Sequence, residues 1–594
     1  MKSWQKDIVC LMDDNLNGEL LNTVRQMKHE GRKNVYIVDV LRRCAMFHLE
    51  GKYKTPKYAE SIALAYMMDK EKELRNIEMH EGTRVMLTEP TAIGERRPAF
   101  SKHIYLKLPE QYEKSMLHAQ KTAFAINKEM FDLCKDQLDE WVLEDAVKIL
   151  EATDGRFYLD LFLDFRGRIN TNHRGSFSPQ NSRVIRAMVD YAEPRTLGVK
   201  VHKDLKEPNF LEFLRIIDEE YGVTFDNYQI ILQNREVEVR QGKSGPGKVR
   251  AAGALHELVT TGQTCYIVQQ DATQSGYQHA AASMRDEVLG YLVNLIPDTE
   301  RQDLYLKPIE YLKNTEIGEF FAQFPVKEVR TEIAKPTVML TGYGSSADAI
   351  ALDYLGYEGQ LSYIDEDGEK VFAETFKQLE ECLKAGMEVD FNPDPIIAKW
   401  LGNRTGLKAM ARAFYLASTM QEALYAVAPS LKTLLNAVQS AAQSWFSQTK
   451  STMRIVSPLG LEFSLMSYKV DKKTTVKISI TINGKRKQMS ILQMSEDTQG
   501  GASGALPNLM HMLDACLLHI LNLKREEEGI LDSADIHDSV GSGIDRVVWT
   551  SDAATEAFRV VHRLFNINKL LKSHNRAQIP MGNLELDKIQ KVMY

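Results

Sequence analysis

An apolar, strand-like run, Cys265-Tyr-Ile-Val268, leads to a carboxylate, Asp271, where the pattern breaks. A Ser-Gly turn follows at Ser275-Gly276, then a helix-like segment ending in Arg285-Asp286. A second carboxylate of the same kind, Asp538, lies far downstream in Ser533-Ala-Asp-Ile-His-Asp-Ser-Val540. One aspartate at each of two neighbouring strand ends is what a pair of magnesium ions requires for nucleotidyl transfer, because hard cations prefer carboxylate oxygens. A chain built for that chemistry must bring these two distant segments together. A lone aspartate more often does no more than cap a turn, so the surrounding residues have to decide.

The 594 residues are 44% apolar and 26% charged, which suits a large globular chain with several packed subdomains. The formal net charge is −7, so any nucleic-acid binding must use local basic patches. The six cysteines are scattered singly with no Cys-x-x-Cys pair, which argues against a zinc ribbon or a disulfide framework. The first residues lack the apolar core of a signal peptide, and no apolar run approaches the roughly 18–20 residues of a membrane span. A cytoplasmic protein without membrane contact is expected.

Residues 1–150 read as mostly helical, most clearly from Gln111 to Glu151, where Leu117, Phe124, Met130, Phe131, Leu138 and Trp141 recur at near-helical spacing. Residues 156–170 switch to a strand-like run ending in the charged turn Asp164-Phe-Arg-Gly-Arg168. Arg235 to Arg250 is basic and Gly-rich and reads as a loop; within it Gly242-Lys-Ser-Gly-Pro-Gly-Lys248 nearly fits a P-loop, but Val249 stands where the magnesium-binding hydroxyl belongs. Helical pattern returns at Pro325–Leu355, Pro395–Ser447, Leu506–Glu527 and Ala554–Leu571. Between Lys469 and Gln493 the period becomes two on both sides of Asn483-Gly484, a hairpin signal.

Several segments together carry a resemblance. Asp271-x-x-x-Ser275-Gly276-x-Gln278-His279 followed by Arg285-Asp286 resembles motif A of the single-subunit RNA polymerases of bacteriophages and mitochondria. Lys335-Pro-Thr-Val-Met-Leu-Thr-Gly-Tyr-Gly344 resembles their motif B, and His537-Asp538-Ser539 their motif C, in the right order. Asp164-x-Arg166-Gly-Arg168, Thr122-Ala-Phe-Ala-Ile-Asn127, Asp303-x-Tyr305, Pro507-Asn-Leu-Met-His511 with Asp514, and Gly582-Asn-Leu584 look like smaller family elements. The likeness runs from about residue 110 to the end.

The resemblance implies an α+β, helix-rich right hand of palm, fingers and thumb. Its parts would be a short N-terminal helical region (1–110), thumb-to-palm helices (111–155), palm with motif A (156–300), fingers with motif B (301–450), palm return with hairpin and motif C (451–546) and a closing segment (547–594). It implies DNA-templated RNA synthesis from ribonucleoside triphosphates with two Mg2+ ions held by Asp271 and Asp538. Lys335 would meet the triphosphate and protonate the leaving pyrophosphate. Tyr343 would help choose ribose, Gly344 would let the template base come close, His511 would contact the sugar side, and Tyr305 would hydrogen-bond to and position Tyr343. Arg166 and Arg168 would touch nucleic-acid backbone. Lys472, Lys473, Lys485, Arg486 and Lys487 lie on a hairpin placed like the family's promoter-specificity hairpin. His537, Ser275, Gly276 and His279 would support the site.

Three departures stand out. The family has a basic residue four before the motif B lysine; here that is Thr331, with Arg330 and Lys327 nearby and available only through a register shift. Pro336 follows Lys335, so a late helix start or a bend is expected there. The region ahead of Asp164 is shorter than in familiar phage enzymes, which implies a phage accessory or single-stranded-DNA-binding partner, or a melted template, in the cytoplasm of an infected bacterium or after packaging in a virion. The rival readings are a family A-like DNA polymerase and a catalytically inactive polymerase-shaped binding protein.

Overall fold

The computed structural model describes residues 85–90, 108–164, 166–171, 177–296, 301–364, 370–449, 453–465, 468–482, 485–496 and 502–594. The helical region expected over residues 1–110 lies almost wholly outside them.

Two apolar cores organise these residues. The larger draws on both ends of the described chain, from Tyr112 and Phe124 to Ile589 and Met593. The smaller is built from residues between Leu312 and Ala423. At the centre of the larger core runs the helix Ala505–Glu527, with buried residues on every face, as a core helix requires. The helical run from Val326 to Gly342 ties the cores together: Val329 and Ile333 belong to the smaller, Ala334 and Val338 to the larger.

The helix expected across Gln111–Glu151 is interrupted. Ala123–Ile126 is a strand, with Arg156–Tyr158 and Val189–Tyr191 antiparallel on its two sides. Phe124 and Ile126 alternate with half-exposed neighbours, a period of two hidden inside a longer helical pattern. Asn127 then caps the next helix by accepting from the Met130 N–H. The loop expected over Arg235–Arg250 is largely helix: Arg235–Glu238, then Gly245–Thr261. Its glycines serve close packing rather than flexibility. A Cβ on Gly247 would stand 2.7 Å from Tyr221, and one on Gly245 would overlap the Glu238 carbonyl. Lys248 pairs with Glu238 at 2.8 Å, so no phosphate cradle forms.

The long hairpin is present as expected, Tyr468–Ile482 against Lys485–Glu496, with Ile482 opposite Lys485. The register slips between Asp471 and Thr475, which puts Lys472 and Lys473 in the irregularity. The Asn483-Gly484 turn lies outside the described residues.

Candidate active site

The strand before the first aspartate is Val268–Asp271, three residues later than the apolar run suggested, and it pairs antiparallel with Ser539–Ser542. Asp271 stands opposite Ser539, and the Ala272 N–H donates to the Asp538 carbonyl at 2.9 Å. The two distant aspartates are therefore neighbours across one ladder. On its other side Asp271 exchanges backbone hydrogen bonds with Tyr594, at 3.0 and 2.9 Å.

Asp538 sits in a tight turn rather than at a strand end. Ile536 and Ser539 exchange both backbone hydrogen bonds, leaving His537 and Asp538 as the tip, with φ of 52° at His537. A buried network holds this turn from below. Arg525, fully buried, donates to Asp535 at 2.7 Å and to the Gly541 carbonyl at 2.8 Å, with Asp532 beside it. Gln269 binds both Ser539 Oγ (2.8 Å) and the Ala534 carbonyl (2.9 Å). Sequence reading missed Arg525 because Lys-Arg-Glu-Glu-Glu at a helix end looks like a solvated stretch.

Both carboxylates open to solvent. Asp538 is nevertheless walled in by protein. That partial burial, then the like charge of Asp271, raises its pKa above the ordinary carboxylate range, while Arg168 and Lys335 pull it down. A pair so arranged is relieved by a cation. Among the described residues no cluster of three or more metal-ligating side chains exists. Two open carboxylates are enough for Mg2+, which keeps several waters and takes substrate phosphates as further ligands.

The departure ahead of Lys335 resolves in the backbone. Val329–Ala334 is a π-helix, and the Lys335 N–H reaches back to the Arg330 carbonyl, five residues away. The wider turn also relieves the clash that Pro336 would make with a carbonyl four residues before it. The register shifts by one, so Arg330 stands one turn before Lys335 where Thr331 otherwise would. Both cations lie over one ring, Tyr305, at 5.3 and 5.7 Å from its centroid. Arg330 is also paired with Asp303, which accepts from the Tyr305 N–H at 3.0 Å. Tyr305 is thus a platform for two cations; among the described residues no hydrogen bond joins it to Tyr343.

Tyr343 ends the Lys335–Gly342 helix, 39% exposed, its ring edge-on to His511 with centroids 5.7 Å apart. Gly344 has φ of +80°, and a Cβ there would press Gln439 at 2.6 Å. Arg166 and Arg168 are already engaged: Arg166 with Asp164 and His511, and Arg168 with buried Asp514 at 2.8 Å. Burial pushes Asp514 up to about 7 against the pull of Arg168 and of a Ser275 hydrogen bond. Gly276 faces open space, with nothing within 4 Å of a Cβ.

His279 is turned into the core. It is buried against Phe558 and hydrogen-bonded to His562 at 2.9 Å, so it anchors the Ser275–Met284 helix. Burial holds it neutral, down to about 3. The tail locks the other end of that helix: the Gly582 N–H donates to Met284 and the Leu584 N–H to Arg285, and a Cβ on Gly582 would overlap the Arg285 carbonyl.

Comparison with known proteins identifies the family. The model of the DNA-dependent RNA polymerase family matches residues 257–591, more than half of the chain. A DNA-directed RNA polymerase of Pseudomonas phage phiKMV is 23% identical over 427 residues, covering 66% of this chain and 46% of the relative. The mitochondrial DNA-directed RNA polymerase of Schizosaccharomyces pombe is 25% identical over 435 residues, 68% of this chain and 34% of the relative. That of Mus musculus is 28% identical over 213 residues, 32% and 17%. The chain spans less than half the length of each of these relatives.

Proposed function

Because this chain belongs to the DNA-dependent RNA polymerase family, we propose that it makes RNA on a DNA template from ribonucleoside triphosphates, at the cleft between Asp271 and Asp538. The observation that carries the reading is the pairing of Val268–Asp271 with Ser539–Ser542, which brings Asp271 and the turn holding Asp538 together at the end of one ladder. Asp271 and Asp538 would hold two Mg2+ ions, which supply charge neutralisation at the attacking 3′-oxygen and the leaving pyrophosphate. Lys335 and Arg330, gathered on the Tyr305 ring, would receive a triphosphate, and Lys335 would return a proton to the leaving group. Tyr343 and His511 form the wall where the sugar and nascent base pair would rest. In this reading the larger core contains palm and thumb, the smaller contains fingers, and the basic hairpin meets duplex DNA.

A primer-extension assay with ribo- and deoxyribonucleotides on a defined template tests the reading. Ribonucleotide incorporation that disappears in Asp271→Asn and Asp538→Asn supports it. Preference for deoxyribonucleotides would favour a DNA polymerase, and no synthesis at all an inactive binding protein. Run-off reactions on single-stranded, pre-melted and linear duplex DNA then test whether opening is left to a phage partner. Efficient sequence-specific initiation by the isolated protein on linear duplex would refute that part.

A further inference from the structure

The turn Asp164–Arg168 reaches across the site to the histidine beside Tyr343. Asp164 is saturated as an acceptor: Oδ2 takes Arg166 Nε at 2.9 Å and Nη2 at 2.6 Å, and Oδ1 takes the backbone N–H groups of Arg166 at 2.9 Å and Arg168 at 3.0 Å. The turn closes on itself through Asp164 N–H to the Arg168 carbonyl, 3.0 Å, and Gly167 N–H to the Asp164 carbonyl, 3.0 Å. Gly167 has φ of +88°, and a Cβ there would meet Tyr112 at 2.9 Å, so a side chain at this position is strained.

The remaining arm of Arg166, Nη1, lies 2.7 Å from His511 Nδ1. A guanidinium has only donors and does not give up its proton, so Nδ1 must accept. The neutral ring then carries its proton on Nε2. Among the described residues that Nε2–H has no acceptor, and the ring stands edge-on to Tyr343. Burial and the positive Arg168 and Arg166 hold His511 neutral, down to about 2.

We propose that Arg166, locked by Asp164, is a positioning residue for sugar selection: it fixes His511 as the Nε2–H tautomer, so that the wall beside Tyr343 offers a donor to the 2′-hydroxyl of a ribonucleotide. The inference rests on the proposed reading of the site and deepens it. Arg166 acts through the histidine.

Two measurements test it. Selective 15N labelling of histidine reads the tautomer without any activity: His511 is expected as Nε2–H between pH 6 and 8, and as a mixture in Arg166→Met. A Nδ1–H form in the wild type overturns the proposal. Single-nucleotide incorporation then compares kcat/KM for ribo- and deoxyribonucleotides. Arg166→Met should lower the ribo-to-deoxy ratio by about tenfold, the scale of one hydrogen bond, with no such fall in a His511→Ala background. An unchanged ratio, or an equal fall in that background, overturns it. A wild type that copies no template with either sugar sinks the functional reading, while the tautomer measurement still stands on its own. Thermal melts of each variant separate these outcomes from misfolding.

Discussion

Gly342 is where the two central helices touch, and replacing it with alanine tests that contact. Tyr277, on the helix after Asp271, is buried and donates its hydroxyl to the Val338 carbonyl on the helix after Lys335. A Cβ on Gly342 would overlap that hydroxyl and stand 2.6 Å from Tyr277 Cζ. In a solvated helix, Gly→Ala gains about 1 kcal/mol. Here the methyl overpacks a filled site, at about 1–3 kcal/mol. If the ring moves aside, a buried hydroxyl loses its acceptor, at about 1–3 kcal/mol. The sum is a net destabilisation of about 1–5 kcal/mol, with the sign opposite to propensity. Urea denaturation gives the stability, and primer extension should fall with it, because the contact sets Lys335 and Tyr343 against Asp271. Tyr277→Leu removes both the hydroxyl and Cζ, so the double variant should be more stable than the sum of the two single changes predicts. A Gly342→Ala protein as stable as the wild type, or additive behaviour in the double variant, would refute the reasoning.

Three further outcomes are expected. Asp538→Asn should cut templated extension by about 10²–10³-fold while leaving the metal-free protein at least as heat-stable, since a like-charged neighbour is removed; Mg2+ should raise the melting temperature of the wild type but not of the variant lacking both aspartates. Asp514 is held near 7 when folded, above the roughly 3.9 of an unfolded chain. Its stabilising contribution is thus complete below about pH 4 and lost as pH rises through about 7, and melting curves from pH 5 to 8 should fall more steeply for the wild type than for Asp514→Asn. Arg525→Met strands Asp532 and Asp535 in the core and should cost about 3–5 kcal/mol in denaturant titrations.

Candidate groups could be picked out wherever the pattern is carried by neighbours in the chain. Asp271, Asp538, Lys335 and Tyr343 stand in short patterns whose spacing survives without a fold, and the hairpin followed from a period of two around Asn-Gly. Reading failed where packing overrules pattern. The Ala123–Ile126 strand lay inside a longer helical periodicity, and the glycines of Gly245–Lys248 looked flexible although they are close-contact positions in a helix. The pairing of Arg166 with Asp164 and of Arg168 with Asp514 was likewise not visible in the sequence.

The sequence by itself determined which groups are available: two carboxylates in separate motifs, a lysine eight residues before a tyrosine, and a histidine on an apolar helix. Only the tertiary structure decided how they meet. The ladder between Val268–Asp271 and Ser539–Ser542 joins residues far apart in the chain, and no local periodicity encodes such a pairing. The π turn at Val329–Ala334 moves Arg330 into line with Lys335, because helical register depends on backbone hydrogen bonds that composition does not reveal. The hold of Arg166 on His511 depends likewise on one turn being packed against another helix, where a charged side chain finds its partner by position.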